Sequence, residues 1–273
     1  MKIAQFFQEG KIRLGIIEDN QLVPIDFNGM MIDFILSGAK PNRSSAAPIA
    51  LEKIRFAPAV SNPSKIIALG LNYLDHAKES KGTIPKVPLI FAKFPNSLIG
   101  HKENIAWREE ITKKVDFEAE LAVVLGSTVY RCEEEEAMDH VFGFCCANDV
   151  SARDLQFGDG QWVRGKSLDT FCPLGPWIVS RDEIPDPHSL KIKTIVNGTT
   201  MQDSSTAMMI FKVPQVIHFL ARQLTLVPGD IILTGTPHGV GTFREPSVYL
   251  KDGDEVVVDI EKIGRLTNVC KVL

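Results

Sequence analysis

Asp116-Phe117-Glu118-Ala119-Glu120-Leu121-Ala122-Val123-Val124-Leu125 is the stretch on which the fold turns. Side chains alternate along a strand, so Asp116, Glu118 and Glu120 share one face, and Phe117, Ala119, Leu121 and Val123 share the other. The continuation Val-Val-Leu carries the strand into a core. Neighbouring carboxylates entering a core repel one another and are costly to desolvate unless a cation compensates them. Two readings follow. Either this is an edge strand with its acidic face in water, or the face holds a divalent metal. Hard carboxylate ligands without His or Cys select Mg²⁺, Mn²⁺ or Ca²⁺ over Zn²⁺.

Working outward, Phe144-Cys145-Cys146-Ala147-Asn148-Asp149-Val150 is an apolar strand ending in an acid. Asp149 is either a third ligand or the Asx turn or N-cap of the segment that follows. Upstream, Gly70-Leu71-Asn72-Tyr73-Leu74-Asp75-His76-Ala77-Lys78-Glu79 puts His76 and Glu79 three residues apart. On a helix they lie on one face, where a carboxylate fixes the imidazole tautomer and raises its basicity. Residues 75–88 include Gly82, Pro85 and Pro88 and predict a mobile lid.

Gly160-Gln161-Trp162-Val163-Arg164-Gly165-Lys166-Ser167 satisfies the P-loop pattern letter for letter. That motif needs a hydrophobic strand before it and a helix opening at the Lys-Ser pair. Here the preceding segment is polar and the chain soon reaches Pro173, which argues against ATP binding, and Lys166 is either a cation near acidic ligands or an ordinary surface lysine. Thr234-Gly235-Thr236-Pro237-His238-Gly239-Val240-Gly241 follows a strand and is either an anion-binding loop or a plain tight turn. His238 has no evident partner.

The whole chain has 273 residues, 44% hydrophobic and 23% charged, which are globular values. Lys plus Arg is 30 against 34 acids, net −4, which argues against a nucleic-acid or anionic-membrane partner. Five cysteines without a CxxC spacing predict a reduced intracellular protein. No apolar leader and no run of about 18 apolar residues is present, which gives the expectation of a cytoplasmic chain. Strands are predicted at 66–69, 89–91, 117–125, 143–148, 177–179, 190–196, 230–234 and 255–260, and a hairpin or small sheet within 1–26. Helices are predicted at 30–37, at 133–141 and 213–223, and from about 72–75. Strands outnumber helices without βαβ alternation, so the fold class is mixed α+β, mostly β. The texture changes near Asn62-Pro63, dividing a small N-terminal subdomain, 1–62, from a catalytic domain, 63–273.

As a set, these segments resemble the fumarylacetoacetate hydrolase family. The resemblance rests on Gly70-x-Asn72-Tyr73-x-x-His76-x-x-Glu79, on Phe91-x-Lys93 with Ser97-Leu98-x-Gly100, and on Asp116-Phe117-Glu118-x-Glu120-Leu121. It continues through Asn148-Asp149-Val150-Ser151-x-Arg153-Asp154-x-Gln156, Gly165-Lys166-Ser167-x-Asp169-Thr170-Phe171, Pro228-Gly229-Asp230 and Thr234-Gly235-Thr236-Pro237-x-Gly239-Val240-Gly241. The segments run in family order over residues 63 to 264. The resemblance implies a β-roll catalytic domain, a homodimer, and Glu118, Glu120 and Asp149 as ligands to Mg²⁺, or Mn²⁺ or Ca²⁺. It makes His76 with Glu79 a lid dyad and Lys166 a catalytic cation. Arg153, Gln156, Asn72, Thr236 and Gly235 become the substrate-binding set.

The implied substrate is a small 2-oxo or 2,4-diketo acid. Such a site serves C–C hydrolysis of acylpyruvates, oxaloacetate decarboxylation or tautomerisation, and isomerisation or decarboxylation of hydroxymuconate-type diacids. Hydrolysis of an acylpyruvate is the expected activity. A non-catalytic metal-binding scaffold is the alternative of a different class, and metal-dependent turnover of any β-keto acid separates the two.

Overall fold

Every residue of the strand Ala119–Leu125 is buried, because both of its faces are covered. The structure, a computed structural model, describes residues 1–273. Ala119, Leu121, Val123 and Leu125 pack into a core shared with the helix Val213–Ala221. On the other face Ala122 and Val124 belong to a second core that also takes in Ile3, Leu14 and Phe34. The reading of an acidic edge in water is thereby corrected: Asp116, Glu118 and Glu120 are all buried.

This strand is the spine of the larger sheet. It pairs antiparallel with Val141–Asn148 on one side and with Ile231–Leu233 on the other. Beyond Val141–Asn148 lie Cys172–Ser180, Lys2–Gln8, Lys11–Glu18 and Gln21–Pro24. Beyond Ile231–Leu233 lie Ile66–Gly70, in parallel, and Leu89–Lys93. Residues 1–62 therefore share a sheet and a core with the rest of the chain. A second sheet runs in the order Thr199–Ser205, Lys191–Val196, Glu255–Ile260, Gly264–Val272, Asn104–Trp107. Its Ile192, Val258 and Leu266 pack into the same core as Leu121 and Val123. The result is a mixed α+β fold built mostly of strands.

Two local expectations need correction. The strand predicted over 117–125 is interrupted. Val115–Asp116 pairs with Ser151–Ala152, and the ladder with Val141–Asn148 begins only at Ala119. At the break, side chains replace ladder partners: the Phe117 N–H donates to Asp116 Oδ1 and the Glu118 N–H to Asn148 Oδ1. The helix predicted over 133–141 is a 3₁₀ segment, Glu134–His140, and Val141 already belongs to the next strand. The strands Thr199–Ser205, Gly264–Val272 and Asn104–Trp107 and the helix Arg153–Asp159 carried no recognised pattern. For Thr199–Ser205 a signal existed. Asn197-Gly198, both with positive φ, is the turn of a two-residue hairpin.

Candidate active site

Strand register assembles the acidic centre. Glu120 stands opposite Ala147 and Ala119 opposite Asn148. One residue further, the Asp149 N–H donates to the Glu118 carbonyl at 2.9 Å. Asp149 continues the face of Cys145 and Ala147, and Glu120 that of Ala122 and Val124. A carboxylate oxygen from each of Glu118, Glu120 and Asp149 lies within 4.8 Å of the others, all three residues being buried.

Three buried cations surround this centre. Lys166 Nζ lies 2.8 Å from Glu118 Oε2 and 2.7 Å from Asp149 Oδ2. Lys93 Nζ lies 2.6 Å from Asp149 Oδ1. Arg153 reaches Asp116 through Nε at 2.8 Å and Glu118 Oε1 through Nη2 at 2.7 Å. Burial works against ionisation of Glu118, but Lys166 and Arg153 overcome it and hold the carboxyl down at about 2. Burial likewise opposes the charge of Lys166, and Asp149 and Glu118 outweigh it and raise its pKa.

Glu120 is the exception. Its one hydrogen bond is from the Gly235 N–H, at 2.7 Å, and it has no ion-pair partner. Burial, then Asp149 and Glu118, push its carboxyl well above the usual range. Four buried carboxylates, Asp116 included, thus face three cations and leave one negative charge uncompensated. An all-oxygen donor set with that deficit fits a hard divalent cation held by Glu118, Glu120 and Asp149.

The short helix Leu74–Glu79 brings the second group of residues. His76 Nδ1 is 3.2 Å from Glu79 Oε2, while Glu79 Oε1 accepts the Gly239 N–H at 2.9 Å. Gly239 has φ +96°, and a Cβ there would run into the Met201 carbonyl, so only glycine lets this N–H reach the helix. Asp75 makes a parallel contact, its Oδ2 lying 3.0 Å from His238 Nδ1 and accepting from Ser204 Oγ at 2.5 Å. His238 therefore has the partner that spacing did not reveal.

His76, Glu118, Arg153, Gln156, Lys166 and Thr236 all line one cavity of about 220 Å³. Gln156 Oε1 accepts from Arg153 Nη1 at 2.9 Å, which leaves its NH₂ for the cavity. Thr236 is oriented by Gln202, whose Nε2 donates to Thr236 Oγ1 and to the Pro237 carbonyl. Glu79, Glu120 and Asp149 are not part of this lining. Asn72 and Gly235 do not line it either. The Asn72 amide is consumed by backbone, donating to Phe211 and Thr234 carbonyls and accepting the Phe211 N–H. It ties the Gly70–Tyr73 turn to the 234 loop.

Sequence reasoning missed two members. Lys93 lay in a quoted motif but received no role, since a lysine ending an apolar strand gives no hint of a buried partner 56 residues away. Asp116 was grouped with the metal face. Instead it accepts from Arg153 Nε, the Gly241 N–H and the Thr242 N–H, and so anchors the loop that follows Thr236.

Residues 65–271 match the family described as fumarylacetoacetate (FAA) hydrolase, C-terminal. The chain is 43% identical to oxaloacetate tautomerase FAHD2A, mitochondrial, of Bos taurus over 263 residues, which is 93% of this chain and 83% of the bovine protein. Among solved structures, a fumarylacetoacetate hydrolase of Exiguobacterium antarcticum superposes with TM-score 0.91 at 37% identity, over the full length of both chains. The 5-carboxymethyl-2-hydroxymuconate delta-isomerase of Mycobacterium smegmatis superposes with TM-score 0.84 at 33% identity, again over both full chains. The bovine relative is mitochondrial, which corrects the expectation of a purely cytoplasmic protein. That expectation rested on the lack of long apolar segments. No helix here is long and apolar enough to cross a membrane, but this does not choose between aqueous compartments.

Proposed function

The chain belongs to the fumarylacetoacetate hydrolase family, and from that premise we propose that it is a divalent-metal-dependent hydrolase cleaving the C3–C4 bond of acylpyruvate-type 2,4-diketo acids. The observation that carries the reading is the His76–Glu79 dyad on the cavity that Glu118 and Lys166 also line. With Nδ1 engaged by Glu79, His76 keeps Nε2 for a water. Arg153 and Lys166 give the cavity its attraction for the substrate carboxylate. A cation on Glu118, Glu120 and Asp149, Mg²⁺ first and Mn²⁺ or Ca²⁺ next, supplies electron withdrawal at the 2-keto oxygen.

His76 takes a proton from water as its oxygen adds to the C4 carbonyl, and the Gln156 amide and Lys166 ammonium face the oxygen that becomes negative. Breaking C3–C4 leaves the acyl group as a carboxylic acid, and C3 takes the proton back to give pyruvate. Residues 63–273 carry this chemistry, with 1–62 bracing the back of the sheet. The protein is a homodimer in this reading. The exposed Leu89 and Ile90 on the edge strand Leu89–Lys93 are the apolar edge that a second copy would cover.

The test is an assay of an acylpyruvate against oxaloacetate, with added Mg²⁺ or Mn²⁺ and after chelation. Metal-dependent release of pyruvate from the acylpyruvate is expected. A chelator-insensitive reaction, or metal-dependent turnover of oxaloacetate alone, would overturn the hydrolase reading. The second outcome would favour the tautomerase reading, which the bovine relative supports, or the decarboxylase reading; these need proton transfer or loss of CO₂ but no water.

A lid belongs to the same proposal. Asp75 and Glu79 latch the helix Leu74–Glu79, whereas residues 83–88 make no backbone–backbone hydrogen bond, and Ile84 and Val87 are half exposed. Oxalate, a mimic of the 2-oxo acid, is expected to slow amide exchange over 80–88 while leaving 74–79 nearly unchanged. Equal exchange with and without oxalate would count against a lid.

A further inference from the structure

Thr236 lines the cavity, and its hydroxyl makes one hydrogen bond, accepted from Gln202 Nε2 at 2.9 Å. The direction of that bond decides what the hydroxyl can offer a ligand, and the surroundings of Gln202 fix it. Gln202 lies on the strand Thr199–Ser205, where Thr194 stands opposite Gln202 but Ile195 opposite Thr200. Met201 is therefore an extra residue in the ladder, a bulge of the kind that re-aims a neighbouring side chain. Gln202 is fully buried, and its amide is used to capacity. Oε1 accepts from the Ala119 N–H at 2.9 Å and from Thr194 Oγ1 at 2.6 Å. Nε2 donates to Thr236 Oγ1 and, at 2.8 Å, to the Pro237 carbonyl.

A backbone N–H can only donate and a carbonyl can only accept, so Ala119 and Pro237 hold the amide in this one orientation. With the Gln202 NH₂ donating to it, Thr236 Oγ1 keeps its own proton for the cavity. The hydroxyl is then a donor there, and a donor suits a carboxylate oxygen.

We propose that Gln202 is a positioning residue that sets the Thr236 hydroxyl as a hydrogen-bond donor to an anionic oxygen of the bound ligand. The relay starts at the Ala119 N–H, between Glu118 and Glu120, so a single amide joins the acidic centre to the loop that faces the ligand. The inference rests on the reading that the cavity takes a 2-oxo acid, and not on which bond of that acid is broken.

The test is a pair of double-mutant cycles. Gln202→Glu keeps the size of the side chain and, as a carboxylate, replaces the NH₂ by an acceptor. Thr236 Oγ1 then donates to that acceptor and turns its proton away from the cavity. Dissociation constants of oxalate are measured by calorimetry on the Mg²⁺-loaded protein at pH 8. Thr236→Val and Gln202→Glu are each expected to weaken oxalate at least about tenfold, the value of a hydrogen bond to a charged group. The double variant is expected to bind less than about threefold more weakly than the poorer single variant, because both changes remove the same donor. Losses that multiply would overturn the proposal, since a new charge or a general loosening acts independently of the Thr236 hydroxyl. Unchanged affinity in either single variant, or no oxalate binding by the wild type, would overturn it too.

Thermal unfolding checks the fold. Gln202→Met, uncharged and of similar volume, supplies the second cycle, in which Thr236→Val is again expected to cost less than it does in the wild type. An equal cost there counts against the relay. Cleavage of an acylpyruvate is read separately. Failure to cleave it with the coupling intact would refute the hydrolase and leave the role of Gln202 standing.

Discussion

Glu120→Gln is expected to abolish divalent-metal binding and to lower kcat/KM by at least about 10³-fold, since a metal's hold on developing oxygen charge is worth several kcal/mol. The same variant is expected to be more stable than the wild type when both are metal-free. Glu120 is buried, has no ion-pair partner, and sits beside Glu118 and Asp149, so its carboxyl is pushed well above 4.5. Between the unfolded and folded pKa values the folded chain binds a proton that the unfolded chain does not. This group's contribution is therefore fully present below about pH 4.5 and is lost as pH rises through the folded pKa, at up to about 1.4 kcal/mol per pH unit. Glutamine keeps the shape and removes that slope.

Urea unfolding of chelator-treated wild type and variant across pH 5 to 8 measures it, with calorimetric titration of Mg²⁺ on each. A variant that still binds Mg²⁺, or that is less stable than the wild type throughout, would sink the assignment of Glu120 as the uncompensated ligand. Glu118 is a poorer choice. Removing it takes one of two carboxylate partners from Lys166 and one of two from Arg153, and breaking a buried pair costs about 3–5 kcal/mol. Loss of activity there would be confounded by loss of fold.

His76→Ala carries the second large effect and separates water-dependent from water-independent chemistry. Acylpyruvate cleavage should fall by about 10²–10⁴-fold, the range for losing a general base. Oxaloacetate decarboxylation, which needs no attacking water, should fall far less. The measurement is kcat/KM for both substrates at saturating Mg²⁺. Equal losses would mean that His76 acts in a proton transfer or closure common to both reactions, and would move the assignment towards tautomerase or decarboxylase. Lys166→Ala is expected to impair both reactions. It also removes a partner from Glu118 and Asp149, so its unfolding curve must be read beside its kinetics.

Much of the site was legible because strand periodicity is a local property. Glu118 and Glu120 declare themselves as acids on a segment that continues into Val-Val-Leu, and no globular core accepts such a segment without compensation. Asp149 at the end of an apolar strand, and His76 three residues before Glu79, are equally local signals. The family motifs then fixed the roles expected of them. The fold class was legible too, since strand-length apolar runs without βαβ alternation left little else.

That Lys93, Arg153 and Lys166 are buried in ion pairs with these acids was not legible. Lys93, Arg153 and Lys166 come from an edge strand and two short helices. Nothing in those segments signals that the three ammonium and guanidinium groups are buried. The P-loop lookalike around Lys166 shows how a local pattern misleads when its surroundings differ. Asp116 lies two residues from Glu118, yet the break at Phe117 turns it to Arg153 and the 241–242 backbone instead of the metal face. Asn72 and His238 gain their meaning only from the 234–239 loop and the Phe211 segment, which pack against them from far along the chain.

The sequence by itself singled out the acids Glu118, Glu120 and Asp149, the His76–Glu79 pair and the strand-rich class, because each depends on side-chain type and spacing within about ten residues. The tertiary structure alone decided the charge balance of the centre and the latch on the helix Leu74–Glu79. Those depend on strand register and on contacts between distant segments, where the free energy is set by burial and pairing rather than by local order.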